Sequence, residues 1–136
     1  MNFDEAEQTT MLRDTLRRFI EKEMPRELAR TLDKSASHSR EAFRKLCELG
    51  VTALAVPEEY GGSGVDILSA IVVIEELAKG DIGVSVIFAQ TLKIAQIMEK
   101  ALSTEQQARV LPKFASDPRG MLAIGITEPD NASNYF

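Results

Sequence analysis

From Asp4 to Phe114 apolar residues return at three- and four-residue intervals, block after block, and each block is bounded by a capping or breaking residue. That pattern restricts most of the chain to a stack of amphipathic helices. In residues 4–24 the stripe is Met11, Leu12, Thr15, Leu16, Phe19 and Ile20, with Asp4 available as a cap. Pro25 cannot continue that helix without losing a backbone donor but suits a first turn, so a second short helix is expected to about Asp33. Residues 39–49 put Phe43, Leu46 and Cys47 on one side, with Ser39 as cap and Gly50 at the left-handed closing position.

Residues 51–57 read as extended before Pro57, and residues 58–64, Glu-Glu-Tyr-Gly-Gly-Ser-Gly, as a flexible connection. Asp66 then caps a strongly apolar helix over 67–79, whose expected stripe is Ile67, Ile71, Ile74, Leu77 and Ala78, widened by Val72 and Val73. A break at 79–83 leads to another apolar helix ending near Leu102, with Val86, Ile87, Leu92, Ile94, Ile97 and Met98 expected inside. Gln90, Thr91, Lys93 and Gln96 interrupt it, so it reads as a buried helix rather than a membrane span. Ser103 and Gln106 have capping-box spacing and open a last helix ending near Phe114. Only at 121–127, Met-Leu-Ala-Ile-Gly-Ile-Thr, does the helical period give way to an apolar run short enough for a strand.

Composition narrows the function classes. The chain has 136 residues, within the range of one domain that buries a core without staples. The 21 acidic residues outnumber the 16 Lys and Arg, so nucleic acid is not an expected partner. One cysteine makes no internal disulfide and no signal segment opens the chain. A reducing location is expected: cytoplasmic, or the mitochondrial matrix if the source is eukaryotic.

No set of residues forms a catalytic constellation unaided. The Gly-x-Gly at 62–64 lacks a third glycine and a preceding parallel strand, so it reads as a helix connection, not a phosphate cradle. Glu75 and Glu76 are adjacent on a helix and point about 100° apart, which favours solvation or ion pairing over shared acid-base work. His38 has no ligand partners at metal-binding spacing, and Cys47 lies on an apolar stripe that makes a thiol inert. The basic residues at 13, 17, 18, 22, 26 and 30 alternate with acids at 14, 21, 23 and 27, the pattern of an ion-paired face.

Four stretches go further when taken in order: GVTALAVPEEYGGSGVD at 50–66, EELAKGDIGVS at 75–85, LSTEQQARVLPKFASDPRG at 102–120 and LAIGITEPDNASN at 122–134. Together they resemble the amino-terminal part of the acyl-CoA dehydrogenase family over nearly the whole chain. The resemblance implies a mainly α fold: a bundle of about six helices as the N-terminal domain over 1–118, then the first strand and turn of a middle β-domain over 119–136. It implies a flavin oxidoreductase that removes an α-proton from an acyl-CoA thioester with a carboxylate base while the β-hydride passes to FAD. Implied partners are the acyl-CoA substrate and an electron acceptor flavoprotein, with no nucleic acid or membrane, and a homo-oligomer, dimer or tetramer, in the full-length form.

By the same resemblance the cofactor-binding residues are Ile124, Gly125, Ile126, Thr127 and Ser133, and the substrate-binding residues are Gln90, Thr91 and Ser133. Thr127 corresponds to the hydroxyl that meets the isoalloxazine ring, and Gly125 to a close backbone approach. Two positions depart from the family turn: Ala132 stands for a glycine and Asn134 for an aspartate. The carboxylate base is expected beyond residue 136, so no catalytic residue is assigned and the chain is expected to be an amino-terminal fragment or truncated product, inactive alone. Related flavin monooxygenases and nitroalkane oxidases share the architecture. From the residues alone, a stand-alone helical interaction module is also open, with strand 121–127 pairing to another copy or partner.

Overall fold

The computed structural model describes residues 6–117, 120–125, 127 and 129. Among the described residues six α-helices follow one another: α1 (Glu7–Glu23), α2 (Arg26–Lys34), α3 (Arg40–Glu48), α4 (Ile67–Gly80), α5 (Ile82–Ala101) and α6 (Thr104–Ala115). α4 packs along both α1 and α5, and α6 closes against α5 and the connection between α3 and α4. The mainly helical fold class is therefore the one that the apolar periodicity dictates.

The caps explain where the helices start. Ser39 accepts from the Ala42 amide at 3.3 Å, and Asp66 accepts from the Ser69 amide at 2.7 Å. Ser103 and Gln106 form the reciprocal capping box that their spacing predicts, each side chain accepting from the other's backbone amide. Pro25 stands at the cap position of α2, one residue before its first turn. Asp4 lies outside the described residues, and α1 opens at Ala6 without a side-chain cap. Gly50 closes α3 with φ +78°, a left-handed conformation in which a Cβ would be strained.

Two connections differ from expectation. Residues 51–53 form a 3-10 turn rather than an extended segment, because the amides of Ala53 and Leu54 find carbonyls three residues back, at Gly50 and Val51. The glycine-rich connection is not loose either. A second 3-10 turn, Glu58–Tyr60, leads into amides from Gly62, Gly64 and Val65 that bond to Pro57, Val56 and Leu54. A Cβ on Gly62 would sit 2.0 Å from the Val56 carbonyl oxygen, so glycine is required there by contact.

The core joins five of these helices, and α2 adds no buried residue to it. Leu16 and Ile20 of α1, Leu46 and Cys47 of α3, Val73 and Leu77 of α4, Val84, Phe88 and Leu92 of α5, and Leu111 and Phe114 of α6 are buried together. Phe43 packs on Phe88 with ring centroids 5.3 Å apart, and a tilted pair of this kind adds to simple burial.

Several expected core positions face outward instead. On α4, Ile67 and Ile71 are exposed while Ala70, Val73 and Leu77 carry the buried stripe. On α5, Val86 and Ile97 are exposed and Val84 and Phe88 take the interior, and on α1 Met11 is exposed. A helix apolar nearly all round offers several stripes of equal quality. Packing against α1 and α5 selects one of them.

α5 has the length and apolar composition of a membrane span, as Ile82–Ala101. In this fold it is a core helix: Val84, Phe88, Leu92 and Ala95 are buried among the other helices, while Gln90 and Lys93 are exposed.

The chain after α6 forms no ladder among the described residues. Residues 121–125 and 127 are neither helix nor strand. The predicted strand has no described neighbour to pair with, and an unpaired segment cannot satisfy a sheet's backbone hydrogen bonds.

Candidate functional site

The segment that the sequence singles out leaves the helical body at Gly120. A Cβ there would stand 2.9 Å from the Phe114 ring and 3.1 Å from the Asp117 carbonyl oxygen, so the chain passes close under the end of α6. Leu122 is next to be held. Its side chain packs against the core, and its amide donates to the Thr91 hydroxyl of α5 at 3.5 Å.

Beyond that point the segment opens to solvent. Ile124 is 45% exposed, and Gly125 and Thr127 are exposed. No described residue lies within 4 Å of where a Gly125 Cβ would be, so among the described residues the open side of the backbone is accessible to a flat ligand. Ile126 and Ser133 lie outside the described residues. The donor set of the described residues is a threonine hydroxyl and backbone groups beside a glycine, outside any helix or ladder. Such groups suit the polar edge of an aromatic heterocycle such as a flavin ring, with Gly125 admitting close approach.

Gln90 and Thr91 are neighbours on α5 and diverge. Thr91 is fully buried beneath Leu122, whereas Gln90 is exposed and the following Leu92 belongs to the core. Residues one apart on a helix point about 100° from each other, which separates the two polar groups.

The most strongly perturbed carboxylate lies elsewhere. Glu76 of α4 is fully buried and accepts from Arg13, from Arg17 Nε at 3.3 Å and from Lys79 at 2.8 Å. Burial pushes its carboxyl up, but the hydrogen bonds from Lys79, Arg13 and Arg17 outweigh that and hold it at about 2. Its neighbour Glu75 is half exposed. Ion pairing, one of the two roles expected of this pair, is therefore what Glu76 does, and it uses the cationic band of α1 to do it. The signal available in sequence was Arg13 and Arg17 at a four-residue spacing on the helix that packs against α4. Leu122 had no such signal, because its partner Thr91 lies thirty-one residues earlier, on another element.

Cys47 is buried, and burial together with the charge of Asp117 raises its thiol to about 11. An unreactive structural thiol is the result. Among the described residues no group of three or more His, Cys, Asp or Glu could hold a metal.

Two clefts lie away from the Thr91 and Gly125 region. One, of about 490 Å³, runs between α2 and the α4 to α5 junction, beside Arg26, Arg30, Lys79 and Gly83. The other, of about 290 Å³, is lined by Ala55, Pro57, Glu58, Gly64, Val65 and Glu99. Neither is lined by a described residue of the segment after α6.

The six helices of the described residues, a pinned glycine-rich connection and an open segment leaving under α6 define a helical module. The corresponding family model, "Acyl-CoA dehydrogenase, N-terminal domain", matches residues 6–118. This chain belongs to the acyl-CoA dehydrogenase family. It is 30% identical to the probable acyl-CoA dehydrogenase YngJ of Bacillus subtilis, over 98% of this chain and 35% of that protein. Identity is 34% to the mitochondrial short-chain specific acyl-CoA dehydrogenase of Rattus norvegicus, over 91% of this chain and 30% of that protein.

A chain in a solved structure described as the electron transferring flavoprotein of Acidaminococcus fermentans is also similar. It superposes with a TM-score of 0.77 at 32% identity, covering 96% of this chain and 34% of that one. The chain thus spans about a third of the length of the relatives it matches.

Proposed function

We propose that the chain supplies the helical wall and the first flavin-contacting segment of an FAD-dependent acyl-CoA dehydrogenase. The observation that carries this reading is the family match over residues 6–118 joined to an accessible Gly125 and Thr127 immediately after the helical body. FAD, when bound, accepts the β-hydride of the acyl-CoA thioester. The protein's own contribution is to hold and orient.

In this reading Thr127 donates or accepts at the polar edge of the ring, and the backbone from Ile124 to Thr127 lies along it. Gly125 keeps that face free of a side chain. Ile126 and Ser133 complete the set on the resemblance alone. Gln90, exposed on α5, forms part of the wall that the acyl-CoA meets, whereas Thr91, buried beneath Leu122, stands behind that wall. The carboxylate that removes the α-proton is contributed from outside these residues. Glu76 is unsuited to that work, because a carboxylate held by three cations in the interior is neither accessible nor basic. Transfer of electrons to a second flavoprotein, and assembly into a homo-oligomer, belong to the same proposal.

A chimera tests it: residues 6–127 replace the matching region of a short-chain specific acyl-CoA dehydrogenase, and flavin absorbance is followed on adding acyl-CoA of graded length. Bleaching by at least one acyl-CoA is expected. A folded, flavin-loaded chimera that no acyl-CoA bleaches counts against the dehydrogenase reading.

A further inference from the structure

We infer that Thr91 is a positioning residue: its hydroxyl, presented from inside the helical body, sets where the segment bearing Gly125 and Thr127 leaves it. Thr91 lies on α5 between an exposed Gln90 and a core Leu92, and its side chain is fully buried. A hydroxyl at such depth requires a hydrogen-bond partner, and valine, with the same shape, would fill the position without that requirement. The Leu122 amide meets it at 3.5 Å, and the Leu122 side chain packs on the core beside it. Gly120, two residues earlier, is pressed against Phe114.

At Gly120 the contact with Phe114 and the amide's bond to the Asp117 carbonyl at 3.0 Å fix the turn after α6, but both partners are local to that turn and permit sliding of the later residues along α5. A directional bond to one amide does not. A slip of one residue would bring the amide of Met121 or Ala123 to Thr91 and carry Gly125 and Thr127 along by roughly 3.5 Å. That displacement exceeds the tolerance of a hydrogen bond. The side chain of Thr91 therefore acts through the backbone of Leu122 on groups three and five residues further along. The consequence for the cofactor rests on the flavoenzyme reading proposed above, whereas the tether itself is a property of this chain.

The test is amide hydrogen exchange, residue by residue, on the 136-residue chain and its Thr91→Val and Thr91→Ser variants. In the unsubstituted chain Leu122 is expected to be protected well beyond its exposed neighbour Ala123. In Thr91→Val, Leu122 exchange should quicken roughly five- to tenfold, the size of one neutral hydrogen bond, while Phe88 and Leu92 keep their rates. Thr91→Ser should restore Leu122 to within about twofold, because it keeps the acceptor.

Equal exchange at Leu122 and Ala123 in the unsubstituted chain overturns the inference, a result that needs no variant to fold. So does an unchanged Leu122 rate in Thr91→Val, an equal acceleration in both variants, or an acceleration shared with Phe88 and Leu92. No flavin enters the measurement. A result against the tether leaves the dehydrogenase reading standing, and an unbleached chimera leaves the tether standing.

Discussion

Arg13 on the first helix donates to Glu76 on the fourth, across sixty-three residues of sequence, and the carboxylate that receives it is wholly buried. Arg17 and Lys79 complete its surroundings. This cluster is the polar part of the contact between α1 and α4, and it turns the charge of one helix into a docking rule for another. A buried carboxylate with its partners removed costs far more than the cluster contributes intact.

Glu76→Gln should therefore destabilise the fold by about 2 kcal/mol, at the low end for a buried pair because Arg17 and Lys79 are half exposed and keep their hydration. Glu75→Gln, one residue away but half exposed, should change stability by less than about 0.5 kcal/mol. Urea unfolding of both variants checks the contrast.

The same group gives the acid response a definite sign. Its folded carboxyl is held at about 2 against an ordinary 4.5, so the unfolded chain takes up the proton first. Its contribution is complete above pH 4.5 and is lost as the pH falls from there toward about 2. Glu23, lowered by its hydrogen bond from Lys45, and Asp66, lowered by the Ser69 amide, act in the same direction. The difference between the unsubstituted chain and Glu76→Gln in an acid unfolding series isolates the Glu76 part, and it should shrink as the pH falls.

Gly62→Ala should cost about 3 kcal/mol or more, since its Cβ would fall on the carbonyl oxygens of Val56 and Ala53 with no flexible side chain to yield. Gly50→Ala meets open space, so only its positive φ opposes the change, and about 1 kcal/mol is expected. Thermal unfolding of the pair distinguishes the two reasons for glycine.

Cys47 should resist an aromatic disulfide reagent at pH 8 in the folded chain and react fully in denaturant, because burial suppresses its thiolate. Rapid reaction of the folded chain would contradict its core position.

Gly125→Ala should leave the unfolding temperature of the chain unchanged, as its Cβ meets no described residue within 4 Å. In the flavin-loaded chimera the same substitution is expected to weaken cofactor retention by about tenfold, and Thr127→Val to shift the flavin absorbance bands. Unchanged retention and spectra in both would remove these residues from the flavin contact.

Much of the helical plan was legible in local chemistry. Ser39, Asp66 and the Ser103 and Gln106 pair cap the helices that their positions announce, because a cap acts within three residues and needs no distant partner. Gly50 takes the left-handed conformation for the same local reason. The site was less legible. Thr127 and Gly125 carried a pattern, but the partners that direct the segment, Phe114 and Thr91, belong to two different helices.

By itself, then, the sequence determined that the chain is a stack of helices, several of them opened by side-chain caps, and that its last residues follow another rule, since caps, breakers and apolar period are properties of neighbours along the chain. Tertiary structure alone decided which stripe of α4 and α5 faces inward, exposing Ile71 and Val86 in favour of Val73 and Phe88. It also decided that Glu76 is buried while Glu75 is not, and that Leu122 is tied to Thr91. Those choices depend on groups brought together from distant parts of the chain, and several registers of an all-round apolar helix are equivalent until a second helix packs against it.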